Sequence, residues 1–92
     1  MEGNNMPLVR KEVIVKNKQG LHARPAALFV QVANKFDSRI VVRREQEEVN
    51  GKSIMGILTL GAEQGSMIII EADGDDASNA VLELEKIINS EE

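Results

Sequence analysis

The sequence predicts a single α+β domain, with helices packed against one face of a largely antiparallel sheet. Three observations carry that expectation. Strand-like and helix-like periodicities follow one another in the order β-α-β-β-α-β-α, without an internal repeat. The chain has 92 residues, enough for one core and no more; a domain of this size buries only about 60–65% of its unfolded surface. The hydrophobic share of 42% is largely aliphatic, with two Phe and no Tyr, Trp or Cys, so no disulfide assists the core.

Residues 1–7 are polar and rich in Gly and Asn, and are expected to form a flexible tail ahead of a folded domain over residues 8–92. From Leu8 to Lys16, Val9, Val13 and Val15 fall on one side of a strand. Asn17-Lys18-Gln19-Gly20 is a turn, in which Gly20 supplies a positive φ. Ala26, Phe29, Val30, Ala33 and Phe36 recur at helical spacing, which predicts a helix from Ala23 to Phe36. Pro25 is tolerated only in the first turn of that helix, where an N–H would lack a partner anyway. Arg39 to Arg44 is a second strand, Glu45-Gln46-Glu47 a turn, and a short third strand runs through Val49. Asn50-Gly51 is a turn pair, Ser53 stands where an N-cap belongs, and a short helix from Ile54 to Leu60 ends at Gly61. Ser66 to Asp73 contains the unbroken run Met67-Ile68-Ile69-Ile70, which predicts a central core strand. Asp75 to Ser90 carries Ala77, Ala80, Val81, Leu84, Ile87 and Ile88 at helical spacing. Its first turn is expected to hold acids favoured by the helix dipole.

Several function classes drop out. No apolar run approaches the roughly 20 residues of a membrane span, and the first residues lack the apolar stretch of a signal peptide. A cytoplasmic protein without membrane insertion is the expectation. A net charge of −4 argues against nucleic acid as a partner. From Glu63 onward acids dominate and Lys86 is the only base, whereas every other Lys and Arg lies earlier. One region is therefore basic within an acidic protein, a pattern that suits docking to an acidic partner. One histidine and no cysteine provide no metal-ligand set. No carboxylate pair is placed for glycoside hydrolysis, and no cofactor is called for. Gly51-Lys52-Ser53 is not the end of a P-loop, because Gln46 occupies the position of the leading glycine.

The chemistry gathers at His22, in Gly20-Leu21-His22-Ala23-Arg24-Pro25-Ala26. The first amides of a helix point outward with partial positive charge and suit an anion. Arg24 adds a guanidinium that grips phosphate oxygens in bidentate fashion. An imidazole nucleophile, an anion cradle and a cationic clamp thus fall within four residues. The positive helix end disfavours imidazolium and favours a negatively charged phosphoryl group. A shallow cradle that holds such a group without trapping it fits a shuttle.

This segment resembles the active-site signature of the HPr phosphocarrier family of the phosphoenolpyruvate-dependent phosphotransferase system. Asn50-Gly51-Lys52-Ser53-Ile54-Met55-Gly56-Ile57-Leu58-Thr59-Leu60-Gly61 resembles its regulatory-serine segment. The two motifs stand in the family's order and spacing, and the resemblance runs from about Val9 to Ile88. It implies an open-faced β-sandwich, a four-stranded antiparallel sheet with three helices on one face. It also implies that His22 accepts a phosphoryl group on Nδ1 from phosphorylated enzyme I and passes it to enzyme II A-type components, with Arg24 assisting. Ser53 matches a residue phosphorylated by the HPr kinase/phosphorylase, and Ile54 and Met55 match apolar partner contacts beside it. Lys52 adds basic charge to that surface. Two stretches depart from the family pattern: Glu45-Gln46-Glu47 replaces a common Asn-Gly turn, and Lys18-Gln19 sits in a variable stretch.

The expected molecule is a monomeric phosphocarrier intermediate, not an enzyme with its own turnover. The nearest rival is a paralogue serving a nitrogen-related or purely regulatory chain. His22 argues against versions of the fold that have lost the active histidine. A rival of another class is a small ligand-binding regulatory domain.

Overall fold

Seven elements succeed one another in the computed structural model, which describes residues 8–90: β1 (Leu8–Ile14), α1 (Ala23–Ala33), β2 (Arg39–Arg44), β3 (Glu47–Asn50), α2 (Ile54–Thr59), β4 (Met67–Asp73) and α3 (Ala77–Asn89). The tail expected over residues 1–7 lies outside the described residues, as do Glu91 and Glu92. The strand order in the sheet is β1-β4-β2-β3, every neighbouring pair antiparallel. Because β4 lies between β1 and β2, those two strands run parallel to each other one place apart. β3 and β4 are related in the same way across β2.

Alternation decides which face is covered. Val13 and Val15, then Ile40 and Val42, then Ile68, Ile70 and Ala72 turn inward onto Phe29, Ile57, Leu60, Ala80, Leu84 and Ile88 of the helices. Burial of one such side chain contributes roughly 1.5–3 kcal/mol. The run Met67-Ile68-Ile69-Ile70 is central, as expected, but it is not core throughout. Met67 remains 45% exposed and Ile69 is only half-buried, because the sheet's other face carries no helix. The expectation of a core strand holds for Ile68 and Ile70 but not for Met67 and Ile69.

That open face also carries an ion-pair row crossing all four strands. Glu71 on β4 takes Arg10 of β1 at 2.9 Å and Arg43 of β2 at 3.1 Å, and Arg43 also takes Glu48 of β3 at 2.6 Å. The Glu71 hydrogen bond, with both carboxylates nearby, raises the Arg43 pKa above its ordinary value. The β2–β3 hairpin closes through Glu45 at φ 56, a left-handed conformation that a non-glycine residue adopts at a cost.

Several element bounds differ from expectation, most by one residue at an end, and three of the differences have a visible reason. α1 ends at Ala33 rather than Phe36: Lys35 and Phe36 donate to carbonyls three residues back, tightening the chain out of the α-helix. β1 ends at Ile14, although Val15 still donates to the Ser66 carbonyl at 2.9 Å. α3 begins at Ala77, so no acid occupies its first turn. Asp76 stands at the N-cap without capping. Its carboxylate instead reaches across to the α1–β2 connection and accepts the amides of Asp37 at 2.9 Å and Ser38 at 3.0 Å, and the Ser38 hydroxyl as well. No helix among the described residues is long and apolar enough to cross a membrane.

Candidate functional site

β1 delivers the chain to one end of the sheet, and the following loop is pinned there by backbone bonds. Gly65 donates to the Val15 carbonyl at 2.8 Å and Leu21 to the Ala62 carbonyl at 2.9 Å. Asn17 is only 6% exposed although polar, because it organises the turn. Its side-chain oxygen accepts the Gln19 amide at 2.8 Å and its carbonyl accepts the Gly20 amide at 2.9 Å. Gly20 has φ +72, and a Cβ there would press on the Ala62 carbonyl, so glycine is required twice over. This is the turn expected from the sequence.

His22 is the N-cap residue of α1, with extended backbone (φ −90, ψ −170) and a carbonyl that accepts the Ala26 amide at 3.0 Å. Its imidazole makes no capping bond, so the ring is not consumed by the helix start. Helix geometry leaves the Ala23 and Arg24 amides without an intrahelical partner, and Pro25 has no N–H to satisfy.

Around the ring lies an open depression of about 550 Å³, whose walls include Lys18, His22, Arg24, Pro25, Leu28, Ile87 and Ser90. Topology explains why α3 reaches it. β4 runs antiparallel to β1, so α3, reversing again, runs parallel to β1 and ends where β1 ends. The lengths agree: a 13-residue helix covers about 20 Å and a 7-residue strand about 23 Å. The depression therefore lies between the positive end of α1 and the negative end of α3. Among the described residues, neither Lys18 nor Arg24 is in an ion pair.

Ser53 caps α2, its hydroxyl oxygen accepting the Gly56 amide at 3.1 Å. It does not adjoin His22. Lys52, the residue before it, donates its ammonium to the Phe36 carbonyl at 2.7 Å, and its own carbonyl accepts the Asn34 side chain at 3.3 Å. The serine segment is thus tied to the C-terminal end of α1, while His22 stands at the N-terminal end. That helix is 11 residues long, about 16 Å. Ile54 is 39% and Met55 69% exposed, leaving an apolar pair free beside the serine.

Sequence reasoning placed His22, Arg24 and Ser53 on the right elements but missed that Leu28, Ile87 and Ser90 line the same depression as His22. It also missed the Ser38–Asp76 clasp. The Asn-x-x-Gly turn could have flagged Asn17; nothing local flags the others. Among the described residues no group of three or more His, Cys, Asp or Glu side chains is arranged to hold a metal ion.

Residues 9–90 match the family model described as the PTS HPr component phosphorylation site. Among curated proteins, the HPr-like protein Crh of Halalkalibacterium halodurans is 46% identical over 84 residues, covering 91% of this chain and all of that protein. A crystal structure of a phosphocarrier protein HPr from Bacillus anthracis superposes with a TM-score of 0.85 at 48% identity, covering 89% of this chain and 98% of that one. A structure described as an HPr dimer from Thermoanaerobacter tengcongensis superposes with a TM-score of 0.70 at 53% identity, over 83% of this chain and 87% of that one. The order of elements, the lone histidine at the mouth of α1 and the match over nearly the whole described chain converge: this is a member of the HPr phosphocarrier family of the phosphotransferase system.

Proposed function

We propose that this chain relays a phosphoryl group from phosphorylated enzyme I to enzyme II A-type components by way of His22, and that Ser53 is a regulatory site for an HPr kinase/phosphorylase. The observation that carries the reading is the half-buried His22, its imidazole uncommitted to capping, in an open depression with Arg24, whose guanidinium has no ion-pair partner among the described residues. In the transfer, the nitrogen–phosphorus bond on the donor breaks, one forms to the ring nitrogen of His22, and the ring's proton leaves with the donor. Openness suits the exchange, because two successive partners must reach the same nitrogen.

The test is incubation with enzyme I and labelled phosphoenolpyruvate. One acid-labile, base-stable label per chain is expected, absent from the His22→Ala protein. Label that survives that substitution, or resists acid as phosphoserine does, overturns the assignment. The relative named Crh supports a second reading, a regulatory paralogue outside sugar uptake. The two part at the next step: a relay passes its label to an enzyme II A-type protein, and a regulatory paralogue retains it.

A further inference from the structure

The depression at His22 is electrostatically divided. α1 presents its positive end to it and α3 its negative end, through Ile87 of the last turn and Ser90 at the C-cap. A phosphoryl group on the imidazole is attracted by one wall and repelled by the other. Arg24, on the first turn of α1, brings one cation to it. The turn before the helix lines the same depression, and Lys18 is its cation.

We propose that Lys18 is a second phosphoryl-binding residue, adding its charge to that of Arg24 in the depression they share. This rests on the phosphohistidine reading above. Three observations support it. Lys18 lines the same depression as His22 and Arg24. It is exposed and has no ion-pair partner among the described residues, so its charge is uncommitted. The turn that bears it is held at both ends, by the bonds to Asn17 and by Gly20 packed against Ala62 and Glu63. A lysine on a pinned turn stays within reach of the ring at a smaller entropy cost than one on a loose loop. As a point charge on a flexible stem, its ammonium can follow a group that arrives and departs.

Potassium phosphoramidate provides a test that needs no partner protein. Its nitrogen–phosphorus bond breaks, a bond forms to the His22 ring nitrogen, and the ring proton leaves with ammonia. The phosphorus resonance of the product, followed by NMR against pH, reports the last ionisation of the bound phosphoryl group. A nearby cation favours the dianion, so removing it raises the midpoint. Lys18→Gln is expected to raise it by roughly 0.5 unit in so exposed a site, and Lys18→Arg to restore it. Arg24→Gln should also raise it, and the double variant should raise it further. Lys35→Gln, an exposed lysine beyond the far end of α1, should leave it unmoved and so controls for net charge. A Lys18→Gln midpoint equal to the parent's overturns the inference, as does an equal shift in Lys35→Gln. Absence of any phosphohistidine resonance from the parent would instead bring down the functional reading itself.

Discussion

Glu45 carries a local cost that its neighbours do not. At φ 56 it occupies the left-handed region, where a side chain beyond Cβ is disfavoured and Asn or Gly is at ease. The two-residue loop between Arg44 and Glu47 demands this conformation, since those residues are paired across the hairpin. Glu45→Asn should therefore raise stability by about 0.5 kcal/mol, read as a higher urea midpoint with an unchanged slope. An unmoved midpoint would show that the turn relaxes at no cost. Gly20 presents the reverse case, in which an unusual local demand is met by the residue best fitted to it.

At the scale of elements, α2 joins the serine to the rest of the molecule and also limits how the serine can act. A negative charge at residue 53 would sit at the N-terminal end of α2, which favours it, so the fold should tolerate Ser53→Asp. Ser53 lies near one end of α1 and His22 at the other, about 16 Å of helix apart, beyond the 8–10 Å over which exposed charges are felt in physiological salt. Direct repulsion of an incoming phosphoryl group is too weak to matter. The charge must act on a partner that covers both ends, through its carboxylates and its contact with Ile54 and Met55. Ser53→Asp should slow labelling by enzyme I roughly ten- to hundredfold at low salt, with the loss shrinking as salt rises. Labelling by phosphoramidate, which has no surface to dock, should proceed at the parent's rate. Equal losses with both donors would place the effect at His22 itself.

Across the whole molecule, the Ser38–Asp76 clasp joins the two crossings that form the end opposite His22. It ties the α1–β2 connection to the start of α3, and Gly74 packs so closely that a Cβ there would strike Ser38. The Ser38 hydroxyl, followed by the amide of Asp37, holds the Asp76 carboxyl below its ordinary value of 3.8. The unfolded chain therefore takes up this proton at a higher pH than the folded one. The clasp's contribution is fully present above the ordinary carboxylate range and is lost as pH falls through the lower, folded value. Thermal unfolding followed from about pH 6 to about pH 2.5 should show the parent losing stability in this window. Asp76→Asn should start less stable at neutral pH and lose less on acidification. Parallel curves for the two proteins would remove Asp76 from the acid response.

Periodicity alone determined the seven elements and their order, because alternation at two residues and recurrence near three and a half are properties of the chain itself. Pro25 and Ser53 marked two helix starts for equally local reasons: a missing N–H and a hydroxyl within reach of an amide three residues on. The His22–Arg24 pairing was legible too, since neighbours in sequence at a helix mouth are neighbours in space. What lay beyond reach was every contact whose partners are far apart along the chain. Asp76 looked like a first-turn acid and is a clasp, because a carboxylate goes to whichever unsatisfied amides the packed helices bring near. Met67 and Ile69 looked like core and face outward, because coverage of a sheet's second face depends on where the crossovers run. Ile87 and Ser90 share a depression with His22 only because β4 enters between β1 and β2 and sends α3 back along β1. The strand order that accomplishes this is settled by the packing of helices on one face, and no local pattern encodes it.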